Sequence, residues 1–295
     1  MSAAVEPRGR RPRPLSAGRI GVYAFLVVAA LFFLLPAYVM VLTSLKPMSE
    51  IRLGNLFAWP SAPTIAPWIK AWSSACTGVD CNGIRIGFFN SIRILVPSVI
   101  LSIMAGALNG YALTFWRPSG SSVLFGVLLV GAFIPYQVFL FPLVRSLSSV
   151  GLYNSLPGIV VVHTIFGMPI MTLLFRNFYL GVPIELFNAA RVDGAGFWRT
   201  FGQVMLPMSI PMIIVAVILQ VTGIWNDFLF GLIFAGRENL PMTVELNNVV
   251  NTTMGEKEYN VNMAATMLTA LVPLVVYFAS GRWFVRGIAA GAVKG

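Results

Sequence analysis

The sequence predicts an all-α, polytopic membrane protein with six transmembrane helices, and three observations carry that prediction. Of the 295 residues, 57% are hydrophobic and 10% charged, with a mean hydropathy of +0.82. An ordinary soluble domain is about 25% charged. A soluble globule of this length would lack the polar side chains to cover its surface, which excludes a soluble enzyme and a disordered chain. The apolar residues also fall into six runs, each near the roughly 20 residues that cross a bilayer. Finally, those runs are continuous and do not alternate with polar residues, so an outer-membrane barrel is unlike this pattern.

The runs cover residues 20–45, 88–115, 122–144, 156–175, 206–235 and 261–280. They divide the chain into a basic tail (1–19), a first span with a long external loop (20–87), a five-helix core (88–280) and a C-terminal tail (281–295). An internal loop at 179–205 belongs to the core. The first run is longer than a signal-peptide core and ends in Thr-Ser-Leu-Lys at 43–46, not in small residues, so it reads as a retained span.

Charge placement orients the spans. The net charge is +10, and five of the 20 basic residues (Arg8, Arg10, Arg11, Arg13 and Arg19) precede or open the first run. They have no interleaved aromatics, so they read as a tail beside anionic lipid and not as a nucleic-acid surface. The same side would hold Arg117, Arg176, Arg191, Arg199, Arg282, Arg286 and Lys294, against the acids Glu6, Glu185 and Asp193. The positive-inside rule then predicts both termini in the cytoplasm of a bacterial inner membrane.

The external loop holds both cysteines, Cys76 and Cys81. In an oxidising compartment they can close a small disulfide loop that braces this segment; two free thiols at the interface are the alternative.

Chemistry is sparse. The single histidine, His163, lies in the fourth run with no partner at metal-ligand spacing, so neither a metal site nor a catalytic site is expected. The four lysines are followed by Pro47, Ala71, Glu258 and Gly295, so no phosphate-binding Gly-Lys-Ser/Thr loop exists. Any ATP and Mg chemistry must belong to another chain. Prolines within the runs include Pro36, Pro97, Pro135, Pro142, Pro169 and Pro273, each a place where a helix can kink, and Gly106 and Gly110 form a small-xxx-small pair suited to close helix packing.

The internal loop is the informative segment. Pro183 and Glu185 suit the start of a helix, Leu186, Ala189, Ala190 and Asp193 wind through about two turns, and Gly194 is a natural left-handed stop. A second short helix from Ala195 would carry Phe197, Trp198, Phe201 and Val204 towards the membrane. Such small and aromatic residues in an internal loop suggest a surface on which another protein docks.

This stretch resembles the EAA signature of inner-membrane permease subunits of ABC importers. Glu185, Leu186, Ala189, Ala190, Asp193, Gly194, Ala195, Phe201, Leu206 and Pro207 match it. Thr-Ser-Leu-Lys at 43–46, Phe-Asn-Ser at 89–91, Trp-Asn-Asp-Phe-Leu at 225–229 and Gly-Ala-Val-Lys-Gly at 291–295 are similar to the carbohydrate branch, in the manner of the second maltose permease subunit. The external insert with Cys76 and Cys81 is more similar to glucose/mannose-type permeases.

The resemblance implies the type I importer permease (MetI-like) fold and a permease subunit of an ATP-driven sugar importer. The implied partners are a second related permease, an ATPase dimer that binds ATP and Mg, and a periplasmic sugar-binding protein. Residues 184–193 would be the coupling helix seated in the ATPase. In the family the residue before the paired alanines is usually glutamate, thought to contact a basic residue of the ATPase; here it is Asn188, which can still hydrogen-bond. An exposed ion pair is worth only about 0–1 kcal/mol. Trp225, Asn226 and Asp227 are candidates for the sugar path, by stacking and hydrogen bonding; anchoring the outer end of the fifth span is the alternative role. The rival class is an ion-gradient-driven secondary carrier, for which His163, Asp227, Arg93 and Arg145 are the available ionisable groups.

Overall fold

The computed structural model describes residues 16–78, 80–252 and 256–292, with side chains described as far as Gly281. The basic tail at Arg8, Arg10, Arg11 and Arg13, Lys294, and the side chains of Arg282 and Arg286 lie outside the described residues. Every regular element among the described residues is helical.

Four helices are long and apolar enough to cross a membrane unbroken: Ala17–Ser44, Arg85–Trp116, Leu156–Leu180 and Tyr259–Gly281. Two bent pairs bring the number to six if each pair is one span. The first pair, Ser121–Phe133 with Tyr136–Ser149, turns through 102°, and the second, Phe197–Met208 with Ile210–Trp225, through 76°. The third and fifth runs are thus each broken, the third at Pro135, one of the prolines at which a kink was expected. Pro135 holds Ile134 in an extended conformation, which ends the helix there. At the second break Pro211 has no N–H for the carbonyl of Pro207, and its ring crowds that carbonyl. Pro36, Pro97, Pro169 and Pro273 stay inside continuous helices.

Two other boundaries move. The fifth span ends at Trp225, and the apolar residues beyond it form a separate short helix, Leu229–Phe234. The last helix runs on to Ala292 and does not stop at Ser280.

The second and fourth of the six spans, Arg85–Trp116 and Leu156–Leu180, form the centre of the bundle. A Cβ added at Gly106 would stand 2.3 Å from the Met171 Cβ, and one at Gly110 would stand 2.7 Å from the Arg176 backbone nitrogen. Glycine at both positions is what lets the two backbones approach. The first helix is peripheral: only Leu42, Thr43 and Ser44, in its last turn, are buried.

The end of the bundle that carries residues 46–87 is held by polar contacts. Lys46 is 2% exposed. Its ammonium donates to the Asn55 carbonyl (2.8 Å), and its own carbonyl accepts from Asn260 Nδ2 (2.9 Å). Trp68 Nε1 donates to Ser44 Oγ (3.1 Å). Asn90 Nδ2 donates to the carbonyls of Glu238 and Leu240, and Ser91 Oγ accepts from the Met242 N–H (2.8 Å), which pins the 236–242 turn. Cys76 and Cys81 are joined in a disulfide.

Candidate functional site

At the opposite end, helix Ile184–Val192 follows directly from the fourth span. Pro183 precedes it, Glu185 lies in its first turn and Arg191 in its last, so both charges complement the helix dipole. It ends in a Schellman motif: the Ala195 N–H donates to the Ala190 carbonyl (2.9 Å) and the Gly194 N–H to that of Arg191 (3.0 Å). Gly194 sits at φ +76° and a Cβ there would meet nothing within 4 Å. The glycine is required by backbone conformation and not by space.

The helix has two faces. Glu185, Leu186, Asn188, Ala189, Asp193 and Gly194 are exposed, and Ala195 is half-buried. Phe187 and Ala190 are buried. The paired alanines thus part company: successive helical residues turn by about 100°, so Ala189 faces outward while Ala190 packs inside. Only one of the two is available to a docking partner. The next helix, Phe197–Thr200, divides likewise, with Phe197 turned inward and Trp198 69% exposed.

What the inward face meets is an aromatic cluster centred on Tyr111, which is fully buried. Its ring centroid lies 5.0 Å from Phe197, 5.4 Å from Phe201, 6.0 Å from Phe115, 6.4 Å from Tyr179 and 6.5 Å from Phe187. Phe115 stacks on Phe187 at 4.9 Å. Trp116 Nε1 donates to the Tyr111 hydroxyl (2.6 Å), which lies 3.2 Å from the Phe197 carbonyl it can donate to. Arg191 adds cation–π contacts over Trp116 (5.3 Å) and Phe187 (6.0 Å). Residues 187, 197 and 201 are thereby tied to the ends of the second and fourth spans.

Two π-helical turns flank the cluster, Ala112–Trp116 and Phe201–Met205. Such turns insert a residue into the helical register and recur at functional sites. The sequence reading found Phe197 and Phe201 but missed Tyr111, Phe115, Trp116 and Tyr179. The run of three aromatics closing the second span was the available signal.

The 225–227 stretch is placed differently from its expectation. Trp225 is 1% exposed, and its indole N–H donates to the Thr269 carbonyl (2.9 Å). In this conformation it offers neither a face nor a donor to a ligand. Asn226 is exposed. The Asp227 carboxylate accepts from the N–H groups of Phe230 (3.3 Å) and Gly231 (3.0 Å), so it caps the short helix that follows. Asp227 Oδ2 is also 3.9 Å from His163 Nε2, and the buried imidazole packs edge-on to Phe230 at 5.5 Å. The histidine that had no sequence neighbour of its kind has a carboxylate beside it in space.

Residues 93–290 match the family described as binding-protein-dependent transport system inner membrane component. A probable ABC transporter permease of Pyrococcus horikoshii is 34% identical over 284 residues, covering 96% of this chain and all of that protein. The alpha-glucoside transport system permease AglG of Rhizobium meliloti is 36% identical over 74% of this chain and 58% of its own length. Among solved structures, a bacterial ABC transporter involved in the import of the acidic polysaccharide alginate superposes with a TM-score of 0.74 at 18% identity, covering 92% of this chain and 99% of that one. At that identity the likeness speaks for the fold. With a family match across the five-helix core and a full-length relative, this chain belongs to the inner-membrane components of binding-protein-dependent transport systems, the permease subunits of ABC importers.

Proposed function

We propose that this permease subunit serves an ATP-driven carbohydrate importer of the bacterial inner membrane, with both termini cytoplasmic. It would form half of the translocation path and pair with a second, related permease. ATP and Mg would be bound by a separate ATPase dimer, and sugar would be delivered by a periplasmic binding protein. Relatives named for alpha-glucoside transport support the substrate class. Family membership leaves the ion-gradient-driven secondary carrier without favour.

The observation that carries the coupling assignment is the two-faced helix Ile184–Val192. Its exposed face, Glu185, Leu186, Asn188 and Ala189, is free for an ATPase surface, while Phe187 on its other face is packed into the cluster around Tyr111. Displacement of the helix by the ATPase would pass through ring contacts to the second, fourth and fifth spans. Asn188 would offer the ATPase a hydrogen bond in place of the charge that the family's usual glutamate would bring, and Asp193 and Ala195 would hold the turn that follows.

The test is transport-linked ATP hydrolysis in liposomes that contain the complete importer, with Gly194→Val as the variant. A side chain at φ +76° costs about 1–2 kcal/mol of local strain, enough to unwind the Schellman stop while leaving the spans inserted. The expected result is loss of the stimulation by sugar-loaded binding protein with basal hydrolysis retained. Wild-type stimulation in the variant would remove the coupling role from this turn.

A further inference from the structure

We propose that a cavity between the ends of the second, third and fourth spans binds a phosphate-type anion, supplied in the membrane by the headgroup of an acidic phospholipid. The cavity measures about 300 Å³ and is lined by Thr114, Arg117, Ser121, Ser122, Phe125 and Arg176, among others. Small-ligand sites run from about 300 to 1,000 Å³. Arg176 lies about one turn before the end of helix Leu156–Leu180, so the cavity opens at the end of the bundle that carries helix Ile184–Val192.

Two cations meet there without a counter-charge. Among the described residues, neither Arg117 nor Arg176 pairs with a carboxylate. Arg117 has left-handed backbone (φ 42°) and donates Nε to the Thr114 carbonyl at 3.0 Å, which leaves its two Nη groups for another acceptor. The Arg176 guanidinium lies 4.3 Å over the Phe125 ring. That contact positions the group and consumes none of its N–H donors. The 13-residue helix Ser121–Phe133 begins at the same place, after Gly120 and with no side-chain cap. The Ser121 N–H is taken by the Pro118 carbonyl (3.0 Å), but the Ser122 and Val123 amides and the Ser121 and Ser122 hydroxyls add donors beside the two guanidinium forks, a set matched to the oxygens of a phosphate.

The border of the cavity favours lipid as the source. Helix Ser121–Phe133 has no buried residue, and Val123, Leu124 and Val127 are exposed along it. An anion held at Arg117 therefore has an apolar flank beside it on which acyl chains can lie. Free phosphate, or an acidic side chain of a partner protein, would make no use of that flank. The placement in the cytoplasmic leaflet, where acidic lipids concentrate, rests on the orientation proposed above. The binding itself is measured without it, so its failure and the failure of the coupling assignment are separate results.

The full chain, purified in detergent, is titrated with phosphatidylglycerol and in parallel with phosphatidylcholine, and bound lipid is counted by native mass spectrometry. Wild type is expected to retain phosphatidylglycerol in preference. The Arg117→Gln/Arg176→Gln variant should retain it roughly tenfold or more weakly, at about 1 kcal/mol per basic residue near a charged surface. Arg85→Gln, at the other end of the bundle, should match wild type. Melting curves check folding, and if the double variant does not fold, Arg117→Gln alone carries the comparison, since that side chain is exposed. Equal retention by wild type and variant, or equal binding of phosphatidylcholine, overturns the proposal. Inorganic phosphate is the third arm: occupancy by phosphate with no advantage for phosphatidylglycerol would reject the lipid assignment.

Discussion

The two ends of this bundle are joined by different physics. At the coupling end, Tyr111, Phe115, Trp116, Tyr179, Phe187, Phe197 and Phe201 meet ring against ring, with hydrogen bonds from Trp116 to the Tyr111 hydroxyl and from that hydroxyl to the Phe197 carbonyl inside the cluster. At the far end, Lys46, Asn90, Ser91, Asn260 and Thr243 hold neighbouring segments by bonds to single backbone groups. Ring contacts tolerate a range of offsets and tilts, and those here span interplanar angles from 20° to 87°. Hydrogen bonds weaken steeply once bent. One end can shift as a packed body; the other is registered to fixed positions. That is the arrangement expected where motion enters at one end and geometry must be kept at the other.

The largest effect should come from breaking the packed end. Tyr111→Ala removes a fully buried ring from the centre of the cluster, and is expected to cost about 3 kcal/mol or more, read from denaturant unfolding in detergent. Tyr111→Phe keeps the ring but leaves the Trp116 N–H without its acceptor, for about 1–3 kcal/mol. Should the two variants lose equal stability, the hydroxyl and not the ring would be the tie, and the contrast between the ends would fail.

A smaller loss is expected at the registered end. Asn90→Ala deletes the donor shared by the carbonyls of Glu238 and Leu240, at about 1 kcal/mol. Because the bond fixes a turn, hydrogen exchange should quicken around 236–242 while the amides of 184–192 keep their protection. Quickening at both sites would mean that the ends are not independent.

The smallest effect is one of pH. Glu245, in the helix Met242–Asn251 at the far end, has a carboxyl pushed above its ordinary value of 4.5 by burial, partly offset by a hydrogen bond from the Thr77 side chain, and Asp80 nearby raises it further. A raised carboxyl binds its proton more tightly in the folded state. Its penalty is absent below the unfolded value of 4.5 and develops as pH rises through the folded value. Wild type should therefore lose stability as pH climbs from 4.5, and Glu245→Gln should not share that slope. Parallel melting curves for the two proteins between pH 5 and 8 would show that this carboxyl does not contribute.

Much of this could be read from the chain before any fold was known, because bilayer thickness and the helical repeat act locally. The apolar runs located the spans, Gly106 and Gly110 announced the close approach that Met171 and Arg176 complete, and Gly194 announced a left-handed stop. What escaped depended on partners far away in sequence. Nothing near Tyr111 tells that Phe187, Phe197 and Phe201 will surround it, and an aromatic run at a helix end is as well explained by a membrane interface. The inward turn of Trp225 escaped for the same reason: only the carbonyl of Thr269, on another helix, shows where its indole points. The breaks at Pro135 and Pro211 were undecidable by composition, since Pro97 and Pro169 lie in continuous helices of similar sequence.

The bond from Asn260 to the Lys46 carbonyl also sets an order of birth. Among the described residues, the first helix has buried side chains only in its final turn. Its corner at Ser44–Lys46 stays unfinished until the chain has grown past residue 260, when the last helix supplies the missing donor. Of the described spans, the first in chain order is thus closed only by a donor from the last.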